Sequence, residues 1–430
     1  MVNERTWNYD DCGDNVPKDV TDVIVKDGIQ KISESSFSDC KNLKKITLPN
    51  SVTVIQRNAF RDCHSLNIIE LPHFIRCLGS DSTFSGCSSL SSFQIPLSSK
   101  IIQLGNSTFH KCTSLKYIQL SSPITYIGCG TFKDCTSLES LDLPSSIREI
   151  GSHAFHGCTS LKSIKLPGTI TKIGKFALME CISLKHIEIP PSITHINSAM
   201  CYACKSLSFI KLPSSLKYIG SFAFCECESL VSIHFPPSLT IIQTCVFGQC
   251  TSLISLQLPH SLRHLEKKSF YKCTSLQTLH IPWSIEYIGE NVIEGCTSLK
   301  QIKLLYTHKA IEDCTIQFFI AFLQSYPDAL QHPCTDDGIL PLHFCLIYGY
   351  VYYYSDEIYK LIDTAADTLS IRDPKYHLYP FLLAACSPLK QQRQDLYRGE
   401  QSNLDLEHLG TIYKLLCESA WLIDILIFRK

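Results

Sequence analysis

Cysteine is the residue whose placement first suggests chemistry. The chain has 23 cysteines in 430 residues. The densest group is Cys201-Tyr202-Ala203-Cys204, followed by Cys225-Glu226-Cys227. A C-x-x-C pair offers two thiolates at a spacing zinc accepts, and two further thiols would complete a tetrahedron. The competing reading is structural. Cys204 and Cys227 belong to a series that also holds Cys40, Cys63, Cys87, Cys112, Cys135, Cys158, Cys181, Cys250, Cys273 and Cys296, and nine of its eleven intervals are 23 residues. A fold imposes such a spacing; a metal does not. These are read as small buried thiols, each able to give a weak hydrogen bond to a neighbouring turn. Neither a metal nor a cofactor is expected.

Other chemistry-bearing residues are sparse. His186, His234 and His280 fall one to a repeat, no two on adjacent repeats, and read as surface histidines. Asn106-Ser107-Thr108 is a glycosylation sequon that matters only after export, and Arg263 to Lys268 reads as a solvated charged loop. The chain lacks G-x-S-x-G, Walker, H-E-x-x-H and dinucleotide-binding patterns. The formal net charge of −1 gives no electrostatic reason to expect nucleic acid or an anionic membrane as a partner. No run approaches the roughly 18–20 apolar residues of a membrane helix.

The elements that must position these residues follow from the columns around each cysteine. Leucine stands three residues on in all twelve copies, apolar residues stand six and eight on, and proline stands nine on in ten copies. Ile164, Lys165 and Leu166 alternate in, out, in, which is strand periodicity, and Pro167 ends the strand. A second apolar segment, as in Ile147 to Gly151, lies across the coil. A small residue and an aromatic, as in Ala154-Phe155 and Ala223-Phe224, fill the interior; Cys201 stands in that aromatic column. One coil cannot bury such faces alone, whereas stacked coils can. Val20, Val23, Val25, Ile29, Ile32 and Phe37 keep the frame with Pro17 in the cysteine position, so a capping coil is expected there. The two irregular coils, Cys63–Cys87 and Cys87–Cys112, are expected to hold their extra residues before Phe84 and between Pro96 and Phe109.

The unit Cys158-Thr159-Ser160-Leu161-Lys162-Ser163-Ile164-Lys165-Leu166-Pro167 closely resembles the BspA-like leucine-rich repeat. The resemblance covers residues 17–305 and implies a parallel-stranded solenoid. Members of that family include cell-surface adhesive proteins and intracellular proteins. From about residue 311 the apolar period changes to 3.6, as in Ile316, Phe319, Ile320 and Leu323. Asp337-Gly338-Ile339-Leu340-Pro341-Leu342-His343 resembles the ankyrin-repeat turn, with Leu340 in the usual threonine position; Tyr379-Pro380-Phe381-Leu382-Leu383-Ala384-Ala385 is a more degenerate copy.

The sequence thus predicts an α/β-type repeat solenoid, mostly β, followed by a small all-α ankyrin-like domain. Its parts are an N-terminal tail (1–16), the solenoid (17–305) and the helical domain with insertions (306–430). The expected function is a non-catalytic protein-interaction module or scaffold, monomeric and cytoplasmic. An extracellular adhesive protein is the alternative, and an enzyme the third reading. The outward strand positions, five and seven residues after each cysteine, are the expected partner-binding surface, with Tyr117, His186, Phe209, Lys211 and His234 as its candidate residues.

Overall fold

The computed structural model describes residues 6–10, 16–120, 123–282 and 284–305, with 323, 334, 339 and 340. The expected helical domain, those last four positions apart, lies outside the described residues. Up to residue 305 the described chain is built of short parallel strands. Most regular coils carry a three-residue strand, such as Ser163–Lys165, and a two-residue strand, such as Lys172–Ile173. Every pairing is parallel, and from Asp22 onward each matches residues one repeat apart, as Ser140 with Ser163 and Glu149 with Lys172. The α/β character expected for the solenoid is absent: no described residue before 306 is helical, and the arc carrying the aromatic column consists of turns.

Those turns are held by backbone bonds of unusual regularity. The residues five, three and one before each cysteine donate their amides to carbonyls of the following coil. Gly130 donates to Ser152 at 2.8 Å, Phe132 to Ala154 at 2.8 Å and Asp134 to His156 at 2.7 Å. The same triplet recurs at every step from Cys40 to Cys296. The first and last residues of each triplet have positive φ, whether glycine, as Gly130 at 60°, or a bulky residue, as Phe176 at 59°. That left-handed conformation aims alternate amides the same way, and it costs a non-glycine residue about 1–2 kcal/mol.

Inside the coils the aromatic column stacks. Phe37, Phe60, Phe84, Phe109, Phe132 and Phe155 follow one another with centroids 5.3–5.7 Å apart, all fully buried. Leu178 and Cys201 occupy the column next, and Met200, buried beside Cys201, stands where neighbouring coils have Ala177 and Ala223. The added Met volume offsets the missing ring. The column resumes with Phe224, Phe247 and Phe270. Glycine after the second strand has a different cause. A Cβ on Gly151 would lie 2.6 Å from Cys129 N, so coil spacing itself excludes a side chain.

Two compact units are distinguished: residues 1–254 with 264–275 and 289–297, and residues 255–263 with 276–288 and from 298 onward. In the second, the strands Ser255–Gln257, Thr278–Pro282 and Gln301–Leu305 form a three-stranded parallel sheet. In the first, Thr6–Tyr9 pairs with Asp22–Val25, so a strand lies within the stretch expected as a tail. Of the residues in the expected capping coil, Val20, Val23, Val25, Ile32 and Phe37 are buried and Ile29 is half-buried. The irregular coils absorb their extra residues between Gly79 and Phe84 and between Gln94 and Gln103, the latter a narrower segment than expected. Strand pairing is not continuous there: Cys77–Leu78 ends one sheet and Gln103–Leu104 begins the next, bridged by the isolated pair Asp81 and Asn106. The turn triplets run through both coils unbroken.

Candidate functional site

The cysteine series is a hydrogen-bonded column. From Cys63 to Cys296, each thiol donates to the carbonyl of the aromatic-column residue 26 to 28 positions earlier, at 3.0–3.4 Å. All twelve residues are fully buried. Burial pushes Cys87, Cys112, Cys135, Cys158 and Cys250 well above the ordinary thiol range, because a thiolate there would lose its hydration. These thiols are therefore neither nucleophiles nor ready metal ligands. The zinc reading of Cys201, Cys204, Cys225 and Cys227 finds no support: the Cys227 thiol bonds the Cys201 carbonyl, and no three metal-binding side chains converge among the described residues. Cys225 lies instead beside Cys245, with sulfurs 3.7 Å apart.

The strand face has the expected alternation, in which the middle residue of each strand is buried and its neighbours are open. Phe209 and His186 are register partners on adjacent strands, as are Lys211 and Glu188. The Lys211 ammonium lies 3.3 Å from the Glu188 carboxylate, a fully solvated pair that contributes little stability. His234 is exposed one repeat further on, in a segment without strand pairing. Tyr117 pairs in register with Ser92. It stands four repeats from Phe209, about 19 Å at the usual strand spacing. The structure thus brings His186, Phe209, Lys211 and His234 onto neighbouring coils and leaves Tyr117 apart.

Further exposed apolar residues stand outside the candidates named from the sequence. The four most exposed large apolar side chains among the described residues are Leu97 at 80%, Phe74 at 62%, Ile102 at 60% and Ile68 at 54%. All belong to the two irregular coils. Leu97 lies in the inserted segment, and Phe74 replaces the serine or threonine that other coils carry two residues after the proline. Those hydroxyls donate to the preceding coil, as Thr169 to the Ile147 carbonyl at 2.8 Å and Ser215 to the Ile193 carbonyl at 2.9 Å. Two open grooves meet at Ile68 and Glu70. One, of about 1020 Å³, is bounded by Lys44, Lys45 and Lys116; the other, of about 760 Å³, by Leu97, Gln94 and Gln119. The signals available in the sequence were the 24- and 25-residue intervals and the apolar residues standing in polar columns.

A family model described as a BspA type leucine rich repeat region matches the chain in six copies, over residues 15–103, 80–208 and 194–318. No curated protein matches it. Among solved structures, it is similar to a leucine-rich repeat protein from Bacteroides ovatus ATCC 8483, at 26% identity over 67% of this chain and 85% of that one, with a TM-score of 0.45. A leucine rich cell surface protein from Faecalibacterium prausnitzii A2-165 matches at 24% identity over 68% and 82%, with a TM-score of 0.42. The pneumococcal vaccine antigen PcpA matches at 18% over 72% and 74%, with a TM-score of 0.39.

Proposed function

Because the chain belongs to the BspA-type leucine-rich repeat family, we propose that its solenoid is a non-catalytic module that docks a protein partner on the strand face of the irregular coils. The observation that carries this reading is the exposure of Ile68 and Leu97, which line one open groove on the two coils where the repeat departs from its period. Apolar side chains standing open in water are retained at a cost in solubility, and an interface removes that cost. The polar walls supplied by Lys44, Lys45, Glu70 and Lys116 suit an interface with an apolar centre and a polar rim. Phe209, with His186 and Lys211 beside it, forms a smaller second anchor on the same arc.

Inside this reading the protein is a monomeric scaffold of the cytoplasm. Its thiol column, with every hydrogen directed to a carbonyl, suits a reducing compartment. The surface-adhesive alternative gains interest from the cell-surface protein among the similar structures, and cell fractionation separates the two. The ankyrin-like reading of 306–430 would add a second protein-binding surface. Proximity labelling in the native cell tests the docking proposal, with the full chain beside its Ile68→Ser/Leu97→Ser variant. Loss of the same labelled partners in the variant supports it. An unchanged set moves the interface elsewhere.

A further inference from the structure

Cys225 and Cys245 stand outside the cysteine column, and their sulfurs face each other at 3.7 Å. Every column thiol gives its hydrogen to a carbonyl; these two share one between themselves. Their backbones are fixed by the turn triplet, in which Phe222, Phe224 and Glu226 donate to Thr244, Val246 and Gly248. The close approach is therefore built into the coil stack. Gly248 completes it: a side chain there would strike Cys245 Sγ and lie 3.3 Å from Cys225 Sγ, so glycine leaves the sulfurs their space. The pair is also slightly open. Cys245 is 8% exposed and Cys225 3%, whereas the column cysteines are at 0%.

We propose that Cys225 and Cys245 form a dithiol modification site that hydroperoxides oxidise to a disulfide. The Cys245 thiolate attacks the terminal peroxide oxygen; an S–O bond forms, the O–O bond breaks, and the leaving oxygen takes the proton of Cys225. The Cys225 thiolate then attacks the Cys245 sulfur. The S–S bond forms, the S–O bond breaks, and the departing hydroxide takes a proton from solvent. With hydrogen peroxide, two thiols lose two hydrogens and the peroxide becomes two waters. Disulfide formation requires the sulfurs to close from 3.7 Å to roughly 2.05 Å. The proton arrangement favours this order. The hydrogen bond from Cys225 lowers the pKa of Cys245, with the Lys268 ammonium adding to the effect, and the same contact raises that of Cys225.

The test uses the full reduced chain, hydrogen peroxide, a rapid alkylating quench and peptide mapping without reductant. The expected result is a Cys225–Cys245 cross-linked peptide that accumulates first, while the exposed Cys77 and Cys129 and the column cysteines are recovered alkylated. In Cys225→Ser the cross-link is absent, and trapping of Cys245 as a sulfenic acid by dimedone rises about tenfold or more, because the resolving thiol is gone. Oxidation of Cys77 or Cys129 ahead of the pair in the unmodified chain would overturn the proposal. So would recovery of Cys225 and Cys245 as separate alkylated peptides after a molar excess of peroxide. Both readings come from the wild-type protein and do not depend on the variant folding.

Discussion

The Cys158 thiol donates to the carbonyl oxygen of Phe132, one coil earlier, at 3.1 Å. That carbonyl also accepts the Cys135 amide at 3.1 Å, so one oxygen serves both the turn and the column. The bond exists only while the thiol keeps its proton. In the unfolded chain the same thiols ionise at an ordinary value near 8.5. The folded pKa is raised, so the stabilisation is complete below that value and is lost as pH climbs above it. Each such thiol then removes about 1.4 kcal/mol per pH unit. Melting temperature is expected to hold to about pH 8 and to fall steeply between roughly pH 9 and 10. A flat profile across that window would mean the column does not exclude the thiolate.

Leu161 is fully buried in a middle coil. Leu161→Ala is expected to cost about 2–5 kcal/mol. Coils touch only their neighbours, so loss in two steps is expected by circular dichroism, with the damaged region melting first. A single transition at the wild-type temperature would place Leu161 outside the core.

Thr83 offers the opposite case. Its hydroxyl is the one buried side-chain oxygen among the described residues without a hydrogen-bond partner. In the following coils Thr108 donates to the Gly105 carbonyl at 2.8 Å and Thr131 to the Gly128 carbonyl at 2.8 Å. The extra residue between Gly79 and Phe84 deprives Thr83 of that acceptor. Thr83→Val keeps the shape and removes the orphan, so a gain of about 1 kcal/mol is expected by denaturant titration. A loss of stability would show that Thr83 has an acceptor after all.

Glycine and alanine exchange should have opposite signs at two positions. Gly151→Ala pushes a methyl against Cys129 N and is expected to cost about 1–3 kcal/mol. Ala199 has φ 51° in the turn ladder, and Ala199→Gly is expected to gain up to about 1 kcal/mol by releasing left-handed strain. Paired thermal melts of the two variants read the signs directly.

On the surface, Ile68→Ser/Leu97→Ser and Tyr117→Ser/Phe209→Ser are each expected to shift stability by no more than about 0.5 kcal/mol. With a partner in hand, calorimetry should find the first pair weakening affinity by about tenfold or more and the second by less. The reverse order would assign the main anchor to Phe209.

The interior was legible in the sequence because packing restricts composition. Leu161, Ile164 and Phe155 recur as a type at fixed spacing, and all three are buried. The turn conformation was not legible. The position five before the cysteine holds Ser35, Gly130, Phe176, Cys245 and Lys268, all at positive φ. There the backbone is held by three inter-coil bonds, and the side chain is left unspecified. For the same reason Cys225 and Cys245 gave no signal: they are 20 residues apart, off the repeat period, and meet only because coil stacking brings different columns together. The candidate surface was half legible. Phe209 and Tyr117 were visible as breaks in a polar column. Ile68 stands in that same column, whereas the exposure of Leu97 depends on where an insertion bulges, which spacing alone locates only roughly.

The turn triplets give the array a direction. Every amide in them points toward the later coil and every acceptor carbonyl toward the earlier one. Any coil can therefore be removed or duplicated, and the edges on either side still meet donor to acceptor, because each coil carries the same pair of mating edges. A coil inserted backwards would set donors against donors. Length is thus free to change by whole units of 23 residues while direction is not, and the array behaves as a polymer with two chemically distinct ends. A growing lineage of such proteins could gain or lose recognition positions one coil at a time without redesigning either terminus.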